Sequence, residues 1–96
     1  MITLPIKKQW FDMILSGEKK EEYRDYTQYY LSRFGAYFGK QITIRLRNGY
    51  RKDSPSAICK VIPHYKTGRA EWGAETGTKY ITLEIQSVRL EAGDPS

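Results

Sequence analysis

Lys19, Glu22 and Arg24 are the residues of this chain best suited to chemistry. They sit in one run, Gly17-Glu18-Lys19-Lys20-Glu21-Glu22-Tyr23-Arg24. A carboxylate can draw a proton from water, and a neighbouring cation can stabilise the oxyanion that water attack creates. A lysine and a glutamate held together out of water also shift each other's proton affinity. The same charges can equally form an ordinary ion pair that fixes a turn, or a solvated surface. If Lys20–Arg24 is a strand, Lys20, Glu22 and Arg24 share one face and Glu21 and Tyr23 the other. Lys19 then stands at the mouth of the strand, placed to lean toward Glu22.

The flanking residues supply the elements that position this run. Ile2, Leu4 and Ile6 alternate with Thr3 and Pro5, a strand pattern in which Pro5 demands an edge or a bulge. From Lys8 to Ser16 the period becomes helical, with Trp10, Phe11, Ile14 and Leu15 on one stripe and Gly17 ending the helix. Trp10 reads as core, with ligand stacking as its second reading. Asp25 or Thr27 can cap a short second helix that buries Tyr30, Leu31 and Phe34. Gly35 and Gly39 bracket an irregular turn.

Gln41–Arg47 is the clearest strand, with Ile42, Ile44 and Leu46 inward, and Asn48-Gly49 marks a tight turn. Ala57–Tyr65 is apolar on both faces and should be central, with Pro63 weakening its end. Lys66–Thr78 is a glycine-bearing loop that carries Trp72, and Tyr80–Val88 is the last strand, with Ile81, Leu83 and Ile85 inside. The count predicts an α+β domain over residues 1–90, a mostly antiparallel sheet curled around one core, with 91–96 a frayed tail. Such a sheet can close into a small β-barrel with two flanking helices.

The net charge of +5 favours polyanions. Arg45, Arg47, Arg51 and Lys52 beside Tyr50 form either a phosphate-facing stripe or a charged, aggregation-resistant edge. One cysteine and one histidine exclude an internal disulfide and argue against a metal centre. Cys59 reads as a small buried hydrophobe, and His64 has no partner at sequence range. No cofactor is expected. No apolar run reaches membrane-spanning length and the start lacks a signal-peptide layout, so the chain is expected to be cytoplasmic; a monomer is the expected state.

Gly17, Lys19, Glu22 and Arg24 fill the pattern Gly-x-Lys-x-x-Glu-x-Arg. This resembles the signature of the ASCH domain, a branch of the PUA-like superfamily. Upstream, Leu4-Pro5-Ile6-Lys7-Lys8, Trp10-Phe11 and Ile14-Leu15-Ser16-Gly17 are similar to the family's first strand and helix. Downstream, Arg47-Asn48-Gly49-Tyr50 and Glu71-Trp72-Gly73-Ala74 are similar to segments of small bacterial and phage members. The likeness extends to about Ile85 and implies a PUA-like barrel rather than an open sheet.

It also implies an activity. Some ASCH proteins are amidohydrolases that remove acyl groups from the exocyclic nitrogen of cytidine; others are proposed RNA binders, and ribonuclease activity is reported for some. The amidohydrolases use a lysine, a threonine and a glutamate. Lys19 matches the lysine, Glu22 stands where they have threonine, and Glu71 or Glu75 is the candidate for the loop glutamate. The expectation is therefore water activated by Glu22 and an oxyanion stabilised by Lys19 as the ammonium. A neutral Lys19 acting as the base is the alternative: Lys20 and Arg24 push its pKa down, and Glu22 pushes it up. Arg24 orients Glu22. Tyr50 or Trp72 stacks the pyrimidine, with Arg47 and Tyr26 completing the substrate-binding set. The substrate expected is a nucleoside or nucleobase. An RNA-binding module is the second reading, and a ribonuclease using His64 the third.

Overall fold

The computed structural model describes residues 1–91. Strand β1 (Ile2–Ile6) leads into helix α1 (Lys8–Leu15), followed by β2 (Glu21–Arg24) and helix α2 (Gln28–Phe34). Strands β3 (Ile42–Asn48), β4 (Ser56–Thr67) and β5 (Lys79–Leu90) complete one five-stranded sheet in the order β1-β3-β4-β5-β2. Short 3-10 turns at Gly35–Tyr37 and Ala70–Trp72 occupy the connections read as irregular. The result is an α+β fold with a curled, mixed, half-barrel sheet and two helices. Three of its strand pairings are antiparallel, but β1 runs parallel to β3, so the sheet is mixed. The whole first helix and β2 intervene between β1 and β3, which gives the chain length for a parallel crossover.

Pro5 lies on an edge strand, as its missing N–H requires. Its carbonyl turns away from β3 and accepts a hydrogen bond from Arg24 Nη2 at 2.8 Å. Since β2 is the opposite edge, that one guanidinium links the two ends of the curled sheet. The central position of β4 follows from its two apolar faces, with Ala57, Ile58, Cys59 and Val61 all buried.

Pro63 does not end β4, which continues to Thr67. The Pro63 carbonyl accepts from the Gly39 N–H at 2.9 Å, on the side where β3 has already ended at the Ile42–Val61 pair. The proline nitrogen faces that same open side, so no ladder bond is lost. On β5, Gln86 is skipped between the Lys60–Ser87 and Val61–Ile85 pairs. This bulge moves the inward phase from Ile81, Leu83 and Ile85 to Val88 and sharpens the curl.

The core lies between the concave sheet and the helices. Phe11 and Ile14 of α1 and Phe34 of α2 meet Leu4, Ile44, Leu46, Val61, Ile81 and Leu83. Thr27, rather than Asp25, caps α2, its hydroxyl accepting from the Tyr30 N–H. Of the tail expected to fray, residues 92–96 lie outside the described residues; Glu91 is held by its N–H on the Ser56 carbonyl and its carboxylate on Arg45. No helix among the described residues is long and apolar enough to cross a membrane.

Phe34 is fully buried at the junction of α2 with the core. Phe34→Ala should lower the unfolding free energy by about 3–5 kcal/mol, read from the midpoint of urea denaturation.

Candidate functional site

Gly17 determines where Lys19 goes. Helix α1 ends at Leu15 with Ser16 as its C-cap, and Gly17 adopts φ +84° with nothing within 4 Å of where a Cβ would stand. The glycine is therefore required by conformation and not by crowding. The Lys19 N–H then returns to the Met13 carbonyl at 2.9 Å, and the chain enters β2. This reversal buries the Lys19 side chain to 1% exposure.

Lys19 Nζ donates to the Trp72 carbonyl and lies 3.3 Å from Glu22 Oε1. It also sits over the rings of Tyr23 at 4.7 Å and Trp10 at 5.0 Å, so the cation faces two π-systems as well as two oxygens. Glu22 Oε2 accepts from Arg24 Nη2 at 2.7 Å, and Arg24 Nη1 reaches the Tyr30 hydroxyl at 3.4 Å. One carboxylate is thus held between two cations, each fixed by a further partner. Burial holds the Lys19 amine below its ordinary pKa; Glu22 opposes the shift and Arg24 adds to it.

Trp10, Glu22, Tyr23, Arg24, Asp25, Tyr30, Trp72 and Gly73 line a cavity of about 220 Å³ over this cluster. The loop after β4 forms one wall. Gly73 has φ +100°, and a Cβ there would stand 3.0 Å from the Trp10 ring, so the glycine lets the loop lie against the indole. Tyr23 ties the base of the same loop, its hydroxyl donating to Glu21 and accepting from the Arg69 N–H. A larger cavity of about 560 Å³ adjoins the first and shares Trp10, Arg24 and Tyr30 with it.

Of the residues singled out from sequence, Glu22, Arg24 and Trp72 line this cavity, while Lys19 lies buried behind them, bonded to Glu22 and the Trp72 carbonyl but not part of the lining. Glu71 does not line the cavity; its carboxylate points to Arg69 at 3.3 Å and is 61% exposed. Glu75 is also exposed and outside the lining, its N–H donating to the Tyr80 hydroxyl. Tyr50 is 89% exposed at the second cavity. Tyr26 lines neither cavity and packs its ring 4.4 Å from that of Tyr65.

Arg47 is half-buried beside Pro5 and Ser56 and lines neither cavity. The Arg45–Lys52 stripe is divided, because Arg45 is bonded to Glu91 at 2.7 Å and to Thr3 at 3.3 Å. His64 does have a partner: Nε2 lies 3.0 Å from Glu84 Oε2 across the β4–β5 ladder. Cys59 is buried, and burial pushes its thiol up to about 11. Among the described residues no group of three or more histidine, cysteine, aspartate and glutamate side chains could hold a metal ion.

Trp10, Tyr23 and Tyr30 are cavity residues that the sequence reading assigns to core or strand positions. All three are half-buried, Trp10 and Tyr30 on the apolar sides of their helices and Tyr23 within the charged run of β2.

Because the folded pKa of Lys19 lies below its unfolded value, the unfolded chain binds more protons between the two. Lys19 therefore makes the fold more stable as pH rises through that window, and its charged-state cost is fully present below it. In a 13C-lysine titration the Lys19 ε-carbon should titrate at lower pH than the exposed lysines such as Lys8; coincident titration would contradict the shift.

No family model, curated protein or solved structure matches this chain.

Proposed function

We propose that the chain is a metal-independent amidohydrolase that removes the acyl group from N4-acylated cytidine or cytosine. With this reading goes the finer description of the fold as a PUA-like barrel of the ASCH type, acting as a cytoplasmic monomer. The observation that carries it is the Glu22 carboxylate, held between Lys19 and Arg24 in a cavity flanked by two tryptophans. Aromatic side chains in the lining suit the faces of a pyrimidine, and a fixed carboxylate suits the water that attacks its acyl substituent.

Glu22 takes a proton from water as the oxygen attacks the acyl carbon. The carbonyl electrons move to oxygen, and the resulting oxyanion is stabilised by the Lys19 ammonium. Collapse breaks the carbon–nitrogen bond. Glu22 returns the proton to the departing exocyclic nitrogen, leaving the amine and a carboxylic acid.

In the resting site the Trp72 carbonyl accepts from Lys19. The substrate's oxygen must therefore replace that carbonyl, which makes the loop bearing Trp72 responsive to occupancy. The direction of the Lys19 shift keeps open the variant in which a neutral amine draws the proton. Arg24 acts through Glu22, since it holds Oε2 while bonded to Tyr30 and Pro5.

The RNA-binding alternative draws on the net charge and the arginine stripe, and the pairing of Arg45 with Glu91 weakens that stripe. A ribonuclease using His64 has less support, with that ring paired to Glu84 on the β4–β5 ladder.

Purified protein should convert N4-acetylcytidine to cytidine, followed by absorbance. Lys19→Ala and Glu22→Gln should each lower kcat/KM by about 10²–10³-fold. Trp72→Ala should act mainly on KM. Wild-type turnover in both Lys19→Ala and Glu22→Gln would overturn the site assignment.

A further inference from the structure

The two adjoining cavities carry different charges. Glu22, paired with Lys19 and Arg24, and Asp25 line the smaller one, which therefore offers carboxylate acceptors to hydrogen-bond donors. Lys7, Lys8 and Asn48 line the larger one together with the shared Arg24, and no carboxylate does. Position points the same way. The two cavities share Trp10, Arg24 and Tyr30, so one ligand can place its base in the 220 Å³ over Glu22 and extend its other end into the 560 Å³ beside it.

We infer that the larger cavity is a phosphate subsite, and that the preferred ligand is a cytidine nucleotide rather than the free nucleoside. This rests on the proposed base site next door. A molecule with a donor-bearing ring at one end and a phosphate at the other matches the division of charge: base amino group toward the carboxylates, phosphate toward Lys7, Lys8 and Asn48. Lys8 already pairs with Asp12 at 2.6 Å, but that pair is on the surface, with the lysine side chain 77% exposed, and is readily exchanged for a phosphate. Tyr50, at the same cavity and 89% exposed, has its ring free to flank the sugar. The phosphate can belong to a mononucleotide or to an RNA chain, since the lining groups recognise the same oxygens in both.

The test is calorimetric titration of the wild-type protein with cytidine, with cytidine 5′-monophosphate and with a short cytidine-containing oligoribonucleotide, at low and high salt. The monophosphate should bind about tenfold more tightly than cytidine at low salt, and the advantage should shrink as salt rises. In Lys7→Ala/Lys8→Ala the affinity for the monophosphate should fall to the level of cytidine. A further gain with the oligoribonucleotide assigns the phosphate to RNA, and no further gain assigns it to a mononucleotide. Equal binding of cytidine and its monophosphate, or a double variant that keeps the advantage, overturns the phosphate subsite and leaves the base site standing. Binding of none of the three ligands removes the base site and this inference with it.

Discussion

The amine of Lys19 has left water almost entirely, and the rest of the site is arranged around that fact. A buried ammonium without partners would cost several kcal/mol, and the fold would expel or neutralise it. Here a carboxylate, a backbone carbonyl and two aromatic faces surround it. Those partners come from three places: Trp10 on α1, Glu22 and Tyr23 on β2, and the Trp72 carbonyl in the loop after β4. The reversal at Gly17, the pairing of β2 with β5 and the seating of that loop must all be in place before the charge is compensated. The cation is thus a check on the assembly of three otherwise separate parts of the chain.

Arg24 extends the same logic to the sheet. A curled sheet whose edges do not pair leaves unpaired backbone groups on both rims. At the β1 rim the Pro5 carbonyl is answered by the Arg24 guanidinium, which also holds Glu22. The negative charge that compensates Lys19 is consequently aligned by the group that spans the sheet edges. Stability and site geometry depend on one row of charges, Lys19–Glu22–Arg24, and a change at Glu22 removes the shared partner of both cations.

Much of this was legible in the sequence because much of it is local. The alternation of Ile2, Leu4 and Ile6 around Pro5 marks an edge strand, and Gly17 after a helical stripe marks a reversal. Lys19 leaning on Glu22 needs only three residues of spacing. What local pattern does not contain is which strands become neighbours. The parallel pairing of β1 with β3, the contact of His64 with Glu84 and the capture of Arg45 by Glu91 all join residues far apart or across a ladder. Gln86 is invisible as a bulge because period-2 alternation fits either phase of β5. Trp10 and Tyr30 read as core because an aromatic on an apolar stripe usually is core; only the curl of the sheet puts them at a gap. Glu71 resembles a loop carboxylate of the right kind, but the 3-10 turn at Ala70–Trp72 offers the Trp72 carbonyl inward and leaves Glu71 on the outside with Arg69.

The position of the cavities follows from how the sheet is joined. Had β1 and β2 paired through a backbone ladder, strands about 5 Å apart would have sealed the seam. A side chain reaches further than a ladder bond and fills less of the space it crosses. Arg24 spans the seam at one point, and the cavities that share it are the openings beside that point. Aromatic rings from α1 and α2 keep these openings from collapsing, since Trp10 and Tyr30 are too large to fold into the core that Phe11 and Phe34 already fill. The charge of each opening is then set by what stands next to the seam: the carboxylates of β2 and its following residue on one side, the lysines that open α1 on the other. A site with two unlike halves is therefore the consequence of closing a small sheet with one arginine.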